Sequence, residues 1–266
     1  MRVIGRAALG ISVLLAAIWT PVALAGAPPN TDSPGRPAPA QPQIVGGEPT
    51  NAAAYPWVVA LTRGNTDAAY CGGALVAPDR VVTAAHCISG YPAKSVRVIA
   101  GRTDLRSNKG EERWVAHYWV EPGYESPMEG DDVAVLLLDR PVSYRPVPLE
   151  TEQEAYRAGV PATVFGWGYT SEAGPSSPVL RRAEVPLIAD SDCAATYDEF
   201  DSREMVCAGD PSGGADACYG DSGGPLIASG RLIGITSWGS GCGREHAPGV
   251  FVRVASYEDD IDDKLD

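Results

Sequence analysis

Asp132-Val133-Ala134-Val135-Leu136-Leu137-Leu138 is an apolar run opened by one carboxylate. The run is too short for an ordinary helix, and a continuous apolar stretch of this length predicts a buried strand. Similar stretches recur at 57–61, 81–84, 96–100, 162–165, 232–237 and 250–254, many of them rich in β-branched residues and set between Gly and Pro punctuation. This spacing predicts an all-β sandwich or barrel. Residues 146–159 are polar and proline-bearing and divide the chain into halves of similar size, so two β-barrels are expected, over 44–150 and 151–266. Near the end, Tyr257, Ile261 and Leu265 fall four apart and form the apolar stripe of a short C-terminal helix.

The first 43 residues do not share this pattern. Arg2 and Arg6 precede an apolar run from Ala7 to Trp19 and the small-residue pattern Ala23-Leu24-Ala25, which reads as a secretory signal peptide over 1–25. The run is shorter than the roughly 20 apolar residues of a bilayer span, so no membrane association is expected after its removal. Residues 26–43 carry six prolines and no hydrophobic periodicity, the composition of an extended, solvated propeptide. The expected location is extracellular.

The 266 residues include 21 basic and 34 acidic ones, a net charge of −13. Without residues 1–43 the counts are 18 and 33, so a charge of −15 belongs to the folded part. Such a surface repels phosphate backbones and argues against nucleic acid as a partner. Six cysteines, all beyond the leader, are expected to pair in an oxidising compartment. Fifteen pairings are possible; Cys71 with Cys87, Cys193 with Cys207 and Cys218 with Cys242 would close short loops. There is no CxxC pair, and His86, His117 and His246 have no HExxH spacing, so neither a metal site nor a cofactor is expected.

Three motifs carry chemistry. Ser222 lies in Gly220-Asp221-Ser222-Gly223-Gly224-Pro225, where glycines clear both sides of one hydroxyl and permit a tight loop. His86 lies in Thr83-Ala84-Ala85-His86-Cys87, just past a predicted strand, and Asp132 stands at the mouth of another. A serine, a histidine and an aspartate from three places invite the roles of nucleophile, base and orienter.

Together with Ile44-Val45-Gly46-Gly47, Gly166-Trp167-Gly168 and Ser237-Trp238-Gly239, these motifs stand in an order that resembles the chymotrypsin-like serine protease family, in its trypsin branch. The resemblance covers residues 44–266, and the compact set of three cysteine pairs looks like that of secreted bacterial members. It implies two six-stranded antiparallel barrels with the active site in the cleft between them. It also implies a catalytic triad of His86, Asp132 and Ser222, with the backbone N–H groups of Gly220 and Ser222 as the oxyanion hole. By motif match Asp132, not Asp131, is the catalytic carboxylate.

By the same resemblance Asp216 forms the floor of the primary specificity pocket, with Gly239 and Gly249 as walls that leave room for a long side chain. Ala217, Ser237 and Trp238 are the further substrate-binding residues. The implied partners are polypeptides with Arg or Lys at the cleaved position, together with protein protease inhibitors, and the expected state is a monomer. Ala217 stands where trypsins often carry a serine, which favours Arg over Lys because guanidinium can still pair bidentately. Tyr219 is expected at the pocket mouth.

Ile44 implies a zymogen whose freed α-amino group pairs with Asp221. Here the chain departs from the family: Gln43, not Arg or Lys, precedes Ile44, so activation by a protease of other specificity is expected. Arg102 occupies the place where vertebrate trypsins carry the first calcium-binding glutamate, so no calcium is expected there, although Glu111 and Glu112 lie near. Two rival readings are an inactive trypsin-fold binding protein, which would be expected to lack a triad member, and an α/β-hydrolase esterase. The chain order His, Asp, Ser and the shortage of helical patterns oppose the esterase.

Overall fold

The computed structural model describes residues 44–265; the signal peptide and propeptide expected over 1–43 lie outside them. The strands of the first half are β1 (Glu48–Pro49), β2 (Val58–Arg63), β3 (Cys71–Ala77), β4 (Arg80–Thr83), β5 (Val96–Ala100), β6 (Glu111–Val120) and β7 (Ala134–Leu138). Those of the second are β8 (Pro161–Gly166), β9 (Arg181–Pro186), β10 (Met205–Ala208), β11 (Pro225–Ala228), β12 (Arg231–Trp238) and β13 (Gly249–Arg253). Three short helices accompany them: α1 (Ala85–Ile88), α2 (Asp190–Thr196) and α3 (Glu258–Asp262). Among the described residues no helix is long and apolar enough to cross a membrane.

The first six-stranded barrel is closed in the order β2-β3-β4-β7-β6-β5, all antiparallel. The second sheet runs β1-β9-β8-β11-β12-β13-β10. It has seven strands because the two-residue β1 pairs with the edge of β9. Its other six strands close on themselves just past β9, where Leu187 bridges Ala208 and Ile188 N donates to the Cys207 carbonyl at 2.9 Å. The segment between the barrels is hydrogen-bonded to both, Val147 N to Leu75 O at 2.9 Å and Glu150 N to Leu232 O at 3.0 Å. A continuous core spans the seam: the Phe165 ring of β8 lies 4.6 Å from that of Tyr55 and 5.2 Å from that of Trp57.

The apolar runs of the sequence become β2, β4, β5, β7, β8, β12 and β13. Five further strands of the two barrels had no such signal. In β6, only Val115 is fully buried, and Glu111–Arg113 and His117 leave no apolar run longer than three residues. In β3, Gly72 and Gly73 interrupt the apolar pattern, yet they are required by packing: a Cβ on Gly73 would come within 2.7 Å of Val81 Cγ1. Strand β9 is mixed in polarity, and β10 and β11 are buried but only four residues long, β11 opening on Pro225. The expected terminal helix is α3, with Tyr257 and Ile261 buried and Leu265 packed on the core. The three disulfides are Cys71–Cys87, Cys193–Cys207 and Cys218–Cys242.

Candidate active site

Thr83 at the end of β4 sits opposite Ala134 at the start of β7, so the segments beyond them leave the first barrel at one rim. α1 follows directly and carries His86; Asp132 lies two residues ahead of β7. Asp132 Oδ2 is 2.8 Å from His86 Nδ1, and its Oδ1 accepts from the His86 amide at 2.9 Å. The Ser237 hydroxyl, from β12, donates to the same Oδ2 at 2.5 Å. Asp132 is buried, and these three donors offset the cost of removing its carboxylate from water. A proton on Nδ1 facing that carboxylate leaves Nε2 of His86 as an acceptor. Asp131 is turned elsewhere, accepting from the Tyr257 hydroxyl at 2.9 Å with a left-handed backbone at φ 53°.

The loop bearing Ser222 is stitched to the first barrel. The Ser222 carbonyl accepts from Gly72 N at 2.7 Å, and the Gly72 carbonyl in turn accepts from Thr83 Oγ1 at 2.7 Å. Gly223 has φ 74°, and a Cβ there would fall on Thr83 Oγ1 and lie 3.1 Å from Ala84 N. The serine loop is thus pressed against the residues that lead into His86. Among the described residues no hydrogen bond joins His86 to the Ser222 hydroxyl; such contacts tighten when substrate binds. The amides of Gly220, at φ 91°, and Ser222 also have no acceptor among the described residues.

Ser222 borders a cleft of about 230 Å³ that brings together Asp216, Ala217, Tyr219, Ser237, Trp238, Gly239 and Gly249. Asp216 is 3% exposed; its Oδ2 accepts from Gly243 N at 2.8 Å, while its Oδ1 has no partner among the described residues. Burial pushes its pKa up to about 7. A Cβ on Gly239 would reach within 3.6 Å of Gly249 Cα, so even a methyl group would bridge the two walls. The Cys218–Cys242 disulfide ties opposite sides of the cleft, and the Tyr197 ring braces Trp238 at 4.9 Å.

The Ile44-Val45 segment is joined to the cleft floor. Ile44 is fully buried, and the Val45 carbonyl accepts from Asp216 N at 3.0 Å. Asp221 is buried too, accepting from Gly168 N at 2.7 Å and Cys218 N at 3.0 Å, and desolvation pushes its pKa up to about 7. Among the described residues it has no cationic partner. Both glycines of Gly166-Trp167-Gly168 face this carboxylate, and a Cβ on either would overlap it. Trp167 itself is core, its Nε1 donating to Thr103 O at 3.2 Å.

Elsewhere, Arg102 is buried and donates to Lys109 O at 2.5 Å and Glu112 Oε1 at 2.7 Å. Tyr219 is 56% exposed at the cleft mouth. His86 lies close to Cys71 and Cys87, but both sulfurs are spent in a disulfide and cannot ligate a metal. The sequence reading missed Gly72, Thr83 and Gly243. For Thr83 the signal was its place directly ahead of the histidine motif; for Gly243, its place directly after a paired cysteine.

The sequence model of the Trypsin family matches residues 44–261. A protein called trypsin from Saccharopolyspora erythraea is 45% identical over 217 residues, covering 81% of this chain and 95% of its own. Trypsin eta of Drosophila melanogaster is 37% identical over 228 residues, covering 82% and 86%. Human serine protease 56 is 37% identical over 235 residues, 84% of this chain and 39% of that longer protein.

Proposed function

The chain belongs to the trypsin family and is a trypsin-like serine endopeptidase, and from that premise we propose that it cleaves polypeptides after Arg or Lys through His86, Asp132 and Ser222. One observation carries the specificity: an unpartnered carboxylate oxygen of Asp216 at the base of a glycine-walled cleft that opens at Ser222. A buried anion without a partner is costly, so a cationic side chain gains strongly there and an apolar one does not. Ala217 brings no hydroxyl to the floor, so the planar guanidinium of Arg is favoured over the ammonium of Lys.

Ser222 Oγ attacks the scissile carbonyl carbon while His86 Nε2 takes its proton, and Asp132 holds the ring and stabilises the imidazolium. The carbonyl oxygen gains negative charge and accepts from the amides of Gly220 and Ser222, each worth roughly 10²–10³ in rate. His86 then protonates the leaving amine, the C–N bond breaks, and an acyl-enzyme on Ser222 remains. Water, deprotonated by His86, attacks the ester and restores the serine.

Residues 1–25 act as a signal peptide and 26–43 as a propeptide, so the enzyme is secreted and works as a monomer outside the cell. Cleavage before Ile44 frees an α-amino group that pairs with Asp221. With Gln43 ahead of that bond, a protease of different specificity makes the cut. Processed protein should hydrolyse an arginyl amide, and Ser222→Ala should reduce the rate by about 10⁶-fold with the fold intact. Processed protein inert toward every peptide and ester would instead be a trypsin-fold binding protein. N-terminal sequencing of the secreted product should begin at Ile44; a start elsewhere overturns the activation route.

A further inference from the structure

Arg63, at the end of β2, is a cation held without an anion. Its guanidinium carbon lies 3.6 Å from the Tyr91 ring centroid and 4.0 Å from that of Tyr70, and its Nε is buried without a hydrogen-bond partner. Among the described residues no carboxylate forms an ion pair with it, in a chain where acidic residues outnumber basic ones. The nearby acids are already engaged: Asp67 and Glu112 pair with Arg97 at 2.5 and 2.8 Å, and Glu112 also pairs with Arg102 at 2.7 Å. Arg63 itself remains partly exposed.

Its place in the fold is beside the reacting groups. Tyr70 directly precedes Cys71, whose disulfide reaches Cys87 next to His86, and the Tyr70 hydroxyl donates to the Cys87 carbonyl at 3.1 Å. Two residues on from Tyr70, Gly72 N bonds the Ser222 carbonyl. The cleft containing Asp216 is built entirely from the second half of the chain. A polypeptide with its basic side chain in that cleft and its scissile carbonyl at Ser222 therefore runs on, past the bond, over the first-barrel face formed by Tyr70 and the Cys71–Cys87 disulfide.

We propose that Arg63, positioned by Tyr70 and Tyr91, is a specificity-determining residue for the leaving segment and recognises a carboxylate within about three residues after the cleaved bond, roughly 10 Å of extended chain. The inference rests on the endopeptidase reading above. Ring contacts fix the guanidinium in advance, so little side-chain freedom is lost on pairing, and its terminal donors suit a carboxylate bidentately. The field of the acidic surface works in the opposite direction, so a preference for an acidic substrate residue has to come from a local cation.

Peptides that differ only in the three residues after a scissile Arg test this. They carry Ala throughout, or Glu or Lys at each place in turn, and are offered to the processed protein at low ionic strength and at about 0.5 M NaCl. At one of the places Glu should raise kcat/KM about two- to five-fold over Ala, Lys should lower it, and salt should shrink the difference. Arg63→Gln should bring the Glu to Ala ratio to about one, and Arg63→Glu should invert it. A ratio of one or less at every place, with the all-Ala peptide cleaved, overturns the proposal. So does an undiminished Glu preference in a folded Arg63→Glu protein. An all-Ala peptide left intact defeats the endopeptidase reading itself.

Discussion

Ser237 and Asp132 belong to different barrels and meet through one hydrogen bond, Oγ to Oδ2 at 2.5 Å. The orientation of the carboxylate, and through it that of His86, depends on both halves of the chain keeping register. Ser237→Ala removes one of three donors to a buried anion. The expected result is about a ten-fold loss in kcat/KM for an arginyl amide, read by steady-state kinetics, from the value of a hydrogen bond to a charged group.

Asp216 should make ligand binding pH-dependent. Burial holds its pKa at about 7, and a cationic ligand pairs only with the ionised form. Below about pH 7 binding must first expel a proton, so the affinity for a small amidine should fall toward ten-fold per pH unit on acidification. Calorimetry in buffers of different ionisation enthalpy should detect the released proton. Asp216→Asn should cost about 10³-fold in kcat/KM for arginyl substrates while abolishing the proton release.

On the proposed activation route, cutting before Ile44 should remove a pH-dependent penalty at Asp221. In the uncut chain its folded pKa, raised to about 7 from 3.8, exceeds the unfolded value, so its stabilising contribution is complete below about pH 4 and is lost as pH rises through 7. On that proposed route a freed Ile44 ammonium would pair with the ionised form and remove that penalty. The melting temperature of the uncut protein relative to the cut one should therefore drop between about pH 5 and pH 7.5, and calorimetric scans of both forms measure this. Asp216 contributes with the same sign to both and cancels in the difference.

Gly223→Ala tests the stitching of the serine loop. The new methyl group meets Thr83 Oγ1 and the Gly72 carbonyl in a backbone conformation that L residues resist. A loss of about 2–3 kcal/mol, or roughly 5–10 °C in melting temperature, is expected together with a fall in kcat. Thr83→Ala in the same protein should restore part of the stability by removing the atom that collides.

Apolar runs rich in β-branched residues announce themselves, which is why 133–138 and 81–84 could be read as β7 and β4, and why the rim carrying His86 and Asp132 follows from two short runs; β10 and β11 are equally buried but carry one β-branched residue each. β6 hides because Glu111–Arg113 and His117 break its apolar side chains into two groups of three, although Tyr118, Trp119 and Val120 pack on the core; β3 hides because its glycines answer to the crossing of other strands. The same limit applies within the site. Ser222 and Asp216 stand in readable motifs, but the Arg63 contacts join residues 7 and 28 positions apart and depend on the closure of the whole barrel. Gly166 and Gly168 are similar: their motif was visible, while the reason for it, the Asp221 carboxylate between them, lay more than fifty residues away.

The guanidinium of Arg102, 2% exposed and bonded to the Lys109 carbonyl and Glu112, closes the connection between β5 and β6 with a positive charge that is covalently part of the polypeptide. Such a counterion has no dissociation constant. Chelators cannot strip it, and no drop in external ion concentration can deplete the bonds it makes to the Lys109 carbonyl and Glu112.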